Sequence, residues 1–146
     1  MESRSAFLVI TNNPLVAELV PAHLAVEYHD ISCREILVKV RDLVYAGHRL
    51  YTHPLSGSVK PNETPYKSVA VSKKPGKMEM EEALIISGSI EAFDKFPPIR
   101  RELPLGVQKD FRLIDYTLLC SAVGLDAVAG LGHKSSFSQK RRRCSL

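Results

Sequence analysis

Apolar and polar positions along the chain change period several times, and the changes mark the elements. Ala6-Phe7-Leu8-Val9-Ile10 is a continuous apolar run that stops at Thr11-Asn12-Asn13-Pro14, a cluster of turn residues. A run of this kind predicts a strand covered on both faces, as in parallel sheets. Pro14 suits the first turn of a helix, and Leu15, Val16, Leu19 and Val20 form a short apolar stripe before Pro21. Leu24 to Tyr28 reads as a second strand. Ser32-Cys33-Arg34-Glu35 then fits a capping box. Ile36, Leu37, Val40, Leu43 and Val44 follow at helical spacing, up to Gly47. Arg49 to Thr52 reads as a third strand and Ser68 to Ser72 as a fourth. Ala83, Ile86, Ile90 and Phe93 define a helix that Pro97-Pro98 ends. Val107, Phe111, Ile114 and Leu118 mark a last helix, to about Val123.

Strands that alternate with helices predict an α/β fold. The expectation is a mostly parallel sheet of about four strands flanked by helices, a Rossmann-like three-layer sandwich. Residues 1–123 would form the single domain. Residues 124–146 would form a flexible, basic tail.

Charge adds to this division. The chain of 146 residues carries 20 Lys plus Arg against 16 Asp plus Glu, a formal +4. Past Asp126 there is no acid, while Lys134, Lys140, Arg141, Arg142 and Arg143 supply five bases. The remaining 15 bases against 16 acids leave the body at −1. The basicity belongs to the tail, which carries no interleaved aromatic pattern, so nucleic acid is not an expected partner. No apolar run approaches the ~20 residues that span a bilayer. The N-terminus lacks a secretory layout. Cys33, Cys120 and Cys144 are odd in number and far apart, without metal-ligand spacing. These features lead to the expectation of a cytoplasmic chain with no membrane partner, no metal and no cofactor.

Candidate chemistry falls in two polar loops. In open α/β sheets, ligands bind beyond the carboxyl ends of the strands. Residues 11–14 follow the first strand there, and residues 53–67 follow the third. The second loop exceeds the usual length of a connection. Ser56, Gly57 and Ser58 offer hydroxyls and close-packed amides to an anion, Lys60 and Lys67 offer charge, and Asn62 and Tyr66 offer directed hydrogen bonds. The plain alternative is a proline-stiffened loop that uses these groups to pack itself. His53 is a candidate base or anion donor, or else the cap of a turn. Asn12 and Asn13 are candidates to aim amides at a ligand, or else strand ends and helix caps. Cys33, at a helix start, is a candidate for a lowered thiol pKa. Spacing assigns no catalytic residue and no Ser/His/Asp set. The phosphate-loop and dinucleotide fingerprints are both missing.

Two stretches carry a family resemblance. Ile10-Thr11-Asn12-Asn13-Pro14-Leu15-Val16 and the run from His53 to Ser68 (His-Pro-Leu-Ser-Gly-Ser-Val-Lys-Pro-Asn-Glu-Thr-Pro-Tyr-Lys-Ser) resemble the GrdX family. The likeness extends over roughly residues 6–120, including Phe111-Arg112-Leu113-Ile114-Asp115. Members are small proteins encoded with the glycine, sarcosine and betaine reductase genes of amino-acid-fermenting bacteria. The resemblance implies a context and transfers no catalytic residue. It implies an accessory protein that binds a small carboxylate or phosphate, or a reductase subunit, through the 11–14 and 53–67 loops. A small transferase or hydrolase using His53 and a loop serine is the alternative.

Overall fold

A computed structural model of the chain describes residues 7–55, 64–96 and 102–127. Strand β1 (Phe7–Thr11) leads into the short helix α1 (Pro14–Leu19) and then strand β2 (Ala25–Tyr28). Helix α2 (Cys33–Tyr45), strand β3 (Ser68–Ser72), helix α3 (Met80–Asp94) and helix α4 (Leu105–Val123) complete the order. The strands form one sheet in the order β2-β1-β3. Strand β1 pairs with β2 in parallel and with β3 antiparallel. The fold is therefore α/β, with a mixed three-stranded sheet in place of the expected four mostly parallel strands.

Two local causes account for the difference. Residues 49–52 do lie beside β3, through an isolated bridge between Leu50 and Val71. Two ladder bonds form there, from the Tyr51 amide to the Ala70 carbonyl at 2.9 Å and from the Ser72 amide to the Arg49 carbonyl at 2.8 Å. The return bonds go to side chains: Ser72 Oγ accepts from the Arg49 amide at 2.8 Å. Thr52 Oγ1 accepts from the Ala70 amide at 3.0 Å. The direction of β3 follows from its connection. Parallel neighbours need a crossover, usually a helix. The 53–67 connection contains Pro54, Pro61 and Pro65, which suit a turn-rich return of the chain. Strand β3 consequently enters antiparallel between β1 and residues 49–52.

Alternation along the strands sorts the side chains into two cores. Val9, Val26 and Ala70 face α1 and α4, where they meet Val16, Leu19, Tyr116, Leu119 and Cys120. Ile10, Val69 and Val71 face α2 and α3, against Ile36, Leu37, Val40, Ala83 and Ile86. Helix α2 starts as its capping box predicts. Ser32 Oγ accepts from the Glu35 amide at 3.1 Å, and the Ser32 amide donates to Glu35 Oε1 at 3.0 Å. Helix α4 is placed where the spacing puts it, but the face differs. Val107, Ile114 and Leu118 are 38, 41 and 40% exposed, while Tyr116, Leu119, Cys120 and Val123 are buried. From residue 128 onward the expected tail lies outside the described residues. No helix among those described is long and apolar enough to cross a membrane.

Gly47, just past α2, has φ +113°. A Cβ there would sit 2.0 Å from the carbonyl oxygen of Gly76. Gly47→Ala is expected to cost about 1–3 kcal/mol in urea unfolding, from the strained conformation and the collision. Gly88, inside α3, has nothing within 4 Å of such an atom. Gly88→Ala is expected to gain about 0.5–1 kcal/mol from helix propensity. Equal stability of the two variants would contradict the close approach at Gly47.

Candidate functional site

The carboxyl ends of β1 and β2 and the amino end of β3 lie on one edge of the sheet, as the strand directions require. The chain leaves β1 there still extended, so consecutive side chains point to opposite layers. Asn12 turns towards the start of α2. Its Nδ2 donates to the carbonyls of Ile31 and Pro65, both at 2.8 Å. Its Oδ1 accepts from the Lys67 amide at 2.8 Å. Asn13 turns towards α4 and caps α1. Its Oδ1 accepts from the Leu15 amide at 3.0 Å. Its Nδ2 donates to the Arg112 carbonyl at 2.9 Å and to Asp115 Oδ2 at 3.0 Å. Both amides thus spend every N–H on the chain itself. The asparagines join the 11–14 loop to the end of the 53–67 connection and to both helical layers.

Thr11 and Ser68 are direct partners in the β1–β3 register. Their hydroxyls lie 2.7 Å apart on the α4 side. Ser68 Oγ donates to Asp115 Oδ2 at 2.6 Å, so the Thr11 hydroxyl donates to Ser68. Thr11 Oγ1 also accepts from the Asn13 amide at 2.9 Å. A closed circuit therefore runs through Thr11, Ser68, Asp115 and Asn13. Burial holds the Asp115 carboxyl above its ordinary range; the donors Ser68 and Asn13 and the nearby Lys67 pull the other way.

Lys67 is only 9% exposed. Its backbone is clamped to Asn12 on both sides. Its ammonium makes no ion pair with any acid among the described residues. It is close enough to lower the pKa of both Asp115 and Cys33. Lys67, Ser68, Asp115 and Thr52 line a small hollow with Leu118, Leu119 and Ala122. Its volume is about 10 Å³, room for about one water. Tyr66 stands at the margin: its hydroxyl accepts from Arg112 Nε at 2.7 Å, with the guanidinium 5.2 Å from the ring centre.

The other sequence candidates divide. His53 is exposed, and its Nδ1 accepts from the Leu55 amide at 3.0 Å, a turn-capping contact. Ser56, Gly57, Ser58, Lys60 and Asn62 lie outside the described residues. The Cys33 thiol is pushed up to about 12, chiefly by burial, and its Sγ donates to the Thr64 carbonyl at 3.3 Å. The lowered pKa expected for a thiol at a helix start is overturned, because loss of water outweighs the helix terminus. Asp115, Thr11, Ser68 and Arg112 were not among the candidates. Arg112, Asp115, Leu119 and Ala122 share one stripe of α4, so a charged pair on the flank of a buried face was the available signal. Among the described residues no group of three His, Cys, Asp or Glu side chains could hold a metal ion.

What this edge can do is bounded by its geometry. One cationic residue, one carboxyl residue and two hydroxyl residues, Lys67, Asp115, Thr52 and Ser68, surround a water-sized space. A family model described as GrdX-like protein matches residues 8–124. The chain belongs to that family. No curated protein and no solved structure matches it.

The Asp115 shift has a definite sign. A carboxyl raised above its ordinary 3.8 keeps its proton in the folded chain to higher pH than in the unfolded one. Its contribution to stability is full below 3.8 and is lost as pH rises through the raised value. Glu35 and Asp94, whose values are lowered, contribute with the opposite sign, so the informative quantity is a difference. Asp115→Asn retains an acceptor for Ser68 and Asn13 and removes the titration. Unfolding free energy of the wild type minus that of Asp115→Asn is expected to fall with rising pH across this acidic window. Asp115→Leu orphans two donors and is expected to cost about 1–3 kcal/mol for each. Urea titrations over a pH series measure both, and a pH-independent difference would contradict the raised carboxyl.

Proposed function

We propose that this member of the GrdX-like family is an accessory protein of the glycine, sarcosine and betaine reductase system. In this reading it takes up a small carboxylate or phosphate where its 11–14 and 53–67 loops meet. One observation carries the proposal: Lys67, as a residue only 9% exposed, forms no ion pair among the described residues and lines the hollow beside Asp115. An anion at the hollow would complement the Lys67 charge. With room for about one oxygen, the hollow would admit a single carboxylate or phosphate oxygen and leave the rest of the ligand at its mouth. Thr52 on the wall accepts from the Ala70 amide, which leaves its own O–H to orient such an oxygen. The backbone bonds between Asn12 and Lys67 support the reading further, since they fix the main chain from which the cation extends.

Thermal unfolding with inorganic phosphate, acetyl phosphate, glycine, sarcosine and betaine tests the proposal, with chloride at matched ionic strength as the control. At least one of these phosphates or carboxylates is expected to raise the midpoint in a saturable manner. Stabilisation would reach about 2.7 kcal/mol at a hundredfold excess over Kd. Lys67→Met keeps the length of the side chain and removes its charge, and the shift is expected to vanish in that variant. No shift with any of the set, or an undiminished shift in Lys67→Met, would reject the site.

A further inference from the structure

Ser68 and Asp115 form a pair that anion binding does not use. Ser68 Oγ donates to Asp115 Oδ2 at 2.6 Å. Asn13 Nδ2 holds the same carboxyl oxygen at 3.0 Å. A hydroxyl within reach of a base that a third group orients is the arrangement of an activated nucleophile. Both residues line the hollow, together with Thr52 and Lys67. The valences of the Ser68 oxygen agree. Its proton goes to Asp115, and one lone pair accepts from Thr11. The second lone pair is left for an electrophile. Burial raises the Asp115 carboxyl above its ordinary range, which makes it a stronger base than a carboxylate in water.

We infer that Ser68 is an acylation site: its Oγ takes a short acyl group from an activated acyl donor, with Asp115 as the base. The serine oxygen bonds to the carbonyl carbon while its proton passes to Asp115 Oδ2. The carbonyl oxygen, now negative, occupies the water-sized hollow. There the Thr52 hydroxyl, which is not spent in accepting from the Ala70 amide, donates to it, and the Lys67 charge favours it. The bond to the leaving group breaks, and that group departs with the electron pair as an anion. A carboxylate is a weaker base than imidazole, which restricts the donor to one whose leaving group needs no proton. Asp115 then gives its proton to solvent. Water completes the cycle. It passes a proton to Asp115 as its oxygen bonds to the acyl carbon, the Ser68–acyl bond breaks, and Ser68 recovers that proton. Leu118, Leu119 and Ala122 complete the lining and suit an acyl group of a few carbons.

Reaction of the full chain with 4-nitrophenyl acetate tests this inference. The wild type is expected to release nitrophenolate and to carry, after acid quenching, an acetyl group that peptide mass mapping places on Ser68. Asp115→Asn keeps a hydrogen-bond acceptor and loses the base, and its release rate is expected to fall about a hundredfold or more. Ser68→Ala is expected to lose both the adduct and the release that depends on it. His23→Gln, at an exposed position outside the hollow, is expected to react as the wild type does. Mapping the wild-type adduct requires no variant to fold, and circular dichroism checks those that are compared. Release no faster than in buffer, an acetyl group on other side chains only, or an undiminished rate in folded Asp115→Asn or Ser68→Ala would overturn the inference. None of these results bears on the anion site, which the phosphate and carboxylate titrations judge separately.

Discussion

Everything at the working edge of this fold depends on the two asparagines that end β1. An extended chain sends consecutive side chains to opposite sides, and Asn12 and Asn13 use that alternation to fasten both helical layers to one point. Asn12 binds the start of α2 and the return of the 53–67 connection through Ile31, Pro65 and Lys67. Asn13 binds the body of α4 through Arg112 and Asp115 while capping α1. Only a side chain with two donors and an acceptor does this work at each position. An aspartate would lose both donations, and a serine would keep at most one.

The consequence for chemistry is a separation of roles. Groups that looked available to a ligand are consumed in building the site, and the groups left over are different ones. Each asparagine amide is saturated internally. The Thr11 and Ser68 hydroxyls spend their protons in the same way, feeding the Asp115 carboxyl. The Lys67 ammonium is left over: its main chain is bonded to Asn12, and its charge is in no ion pair among the described residues. A cation outside an ion pair keeps its charge available, whereas one inside an ion pair would have spent it.

Local chemistry in the sequence was the reliable guide, and tertiary chemistry was not. Ser32 and Glu35 announce the start of α2 because a capping box is complete within four residues. Phe7 to Ile10 announces β1 because a strand covered on both faces needs no partner to be recognised. The direction of β3 was hidden, since it depends on how residues 53–67 return and not on Ser68 to Ser72. The weak edge at 49–52 was hidden too. Its strand-like pattern is sound, but the side chains of Ser72 and Thr52 take the amides of Arg49 and Ala70 that would complete the ladder. Asn12 and Asn13 stood out as polar residues after an apolar strand, and Lys67 as a cation of the long loop, but the partners that occupy the asparagine amides could not be read from either signal. Asp115 was missed because its importance comes from a register partner of β1, which no helical spacing in α4 reveals.

Helix α4 shows why periodicity alone misassigns a face. A hydrophobic stripe signals burial against something, and the something need not belong to the same chain. The stripe Val107, Phe111, Ile114 and Leu118 has the tighter period of the two on this helix, yet the sheet takes the other side, through Tyr116, Leu119, Cys120 and Val123. The choice follows from Asp115. Its carboxyl must reach Ser68 and Asn13, and with α4 turned to allow this, the heptad stripe points away from the sheet. The buried polar connection and the apolar residues beside it agree on one rotation of the helix. That rotation brings Asp115, Leu118 and Leu119 around the hollow beside Lys67 and turns a continuous apolar stripe to the outside.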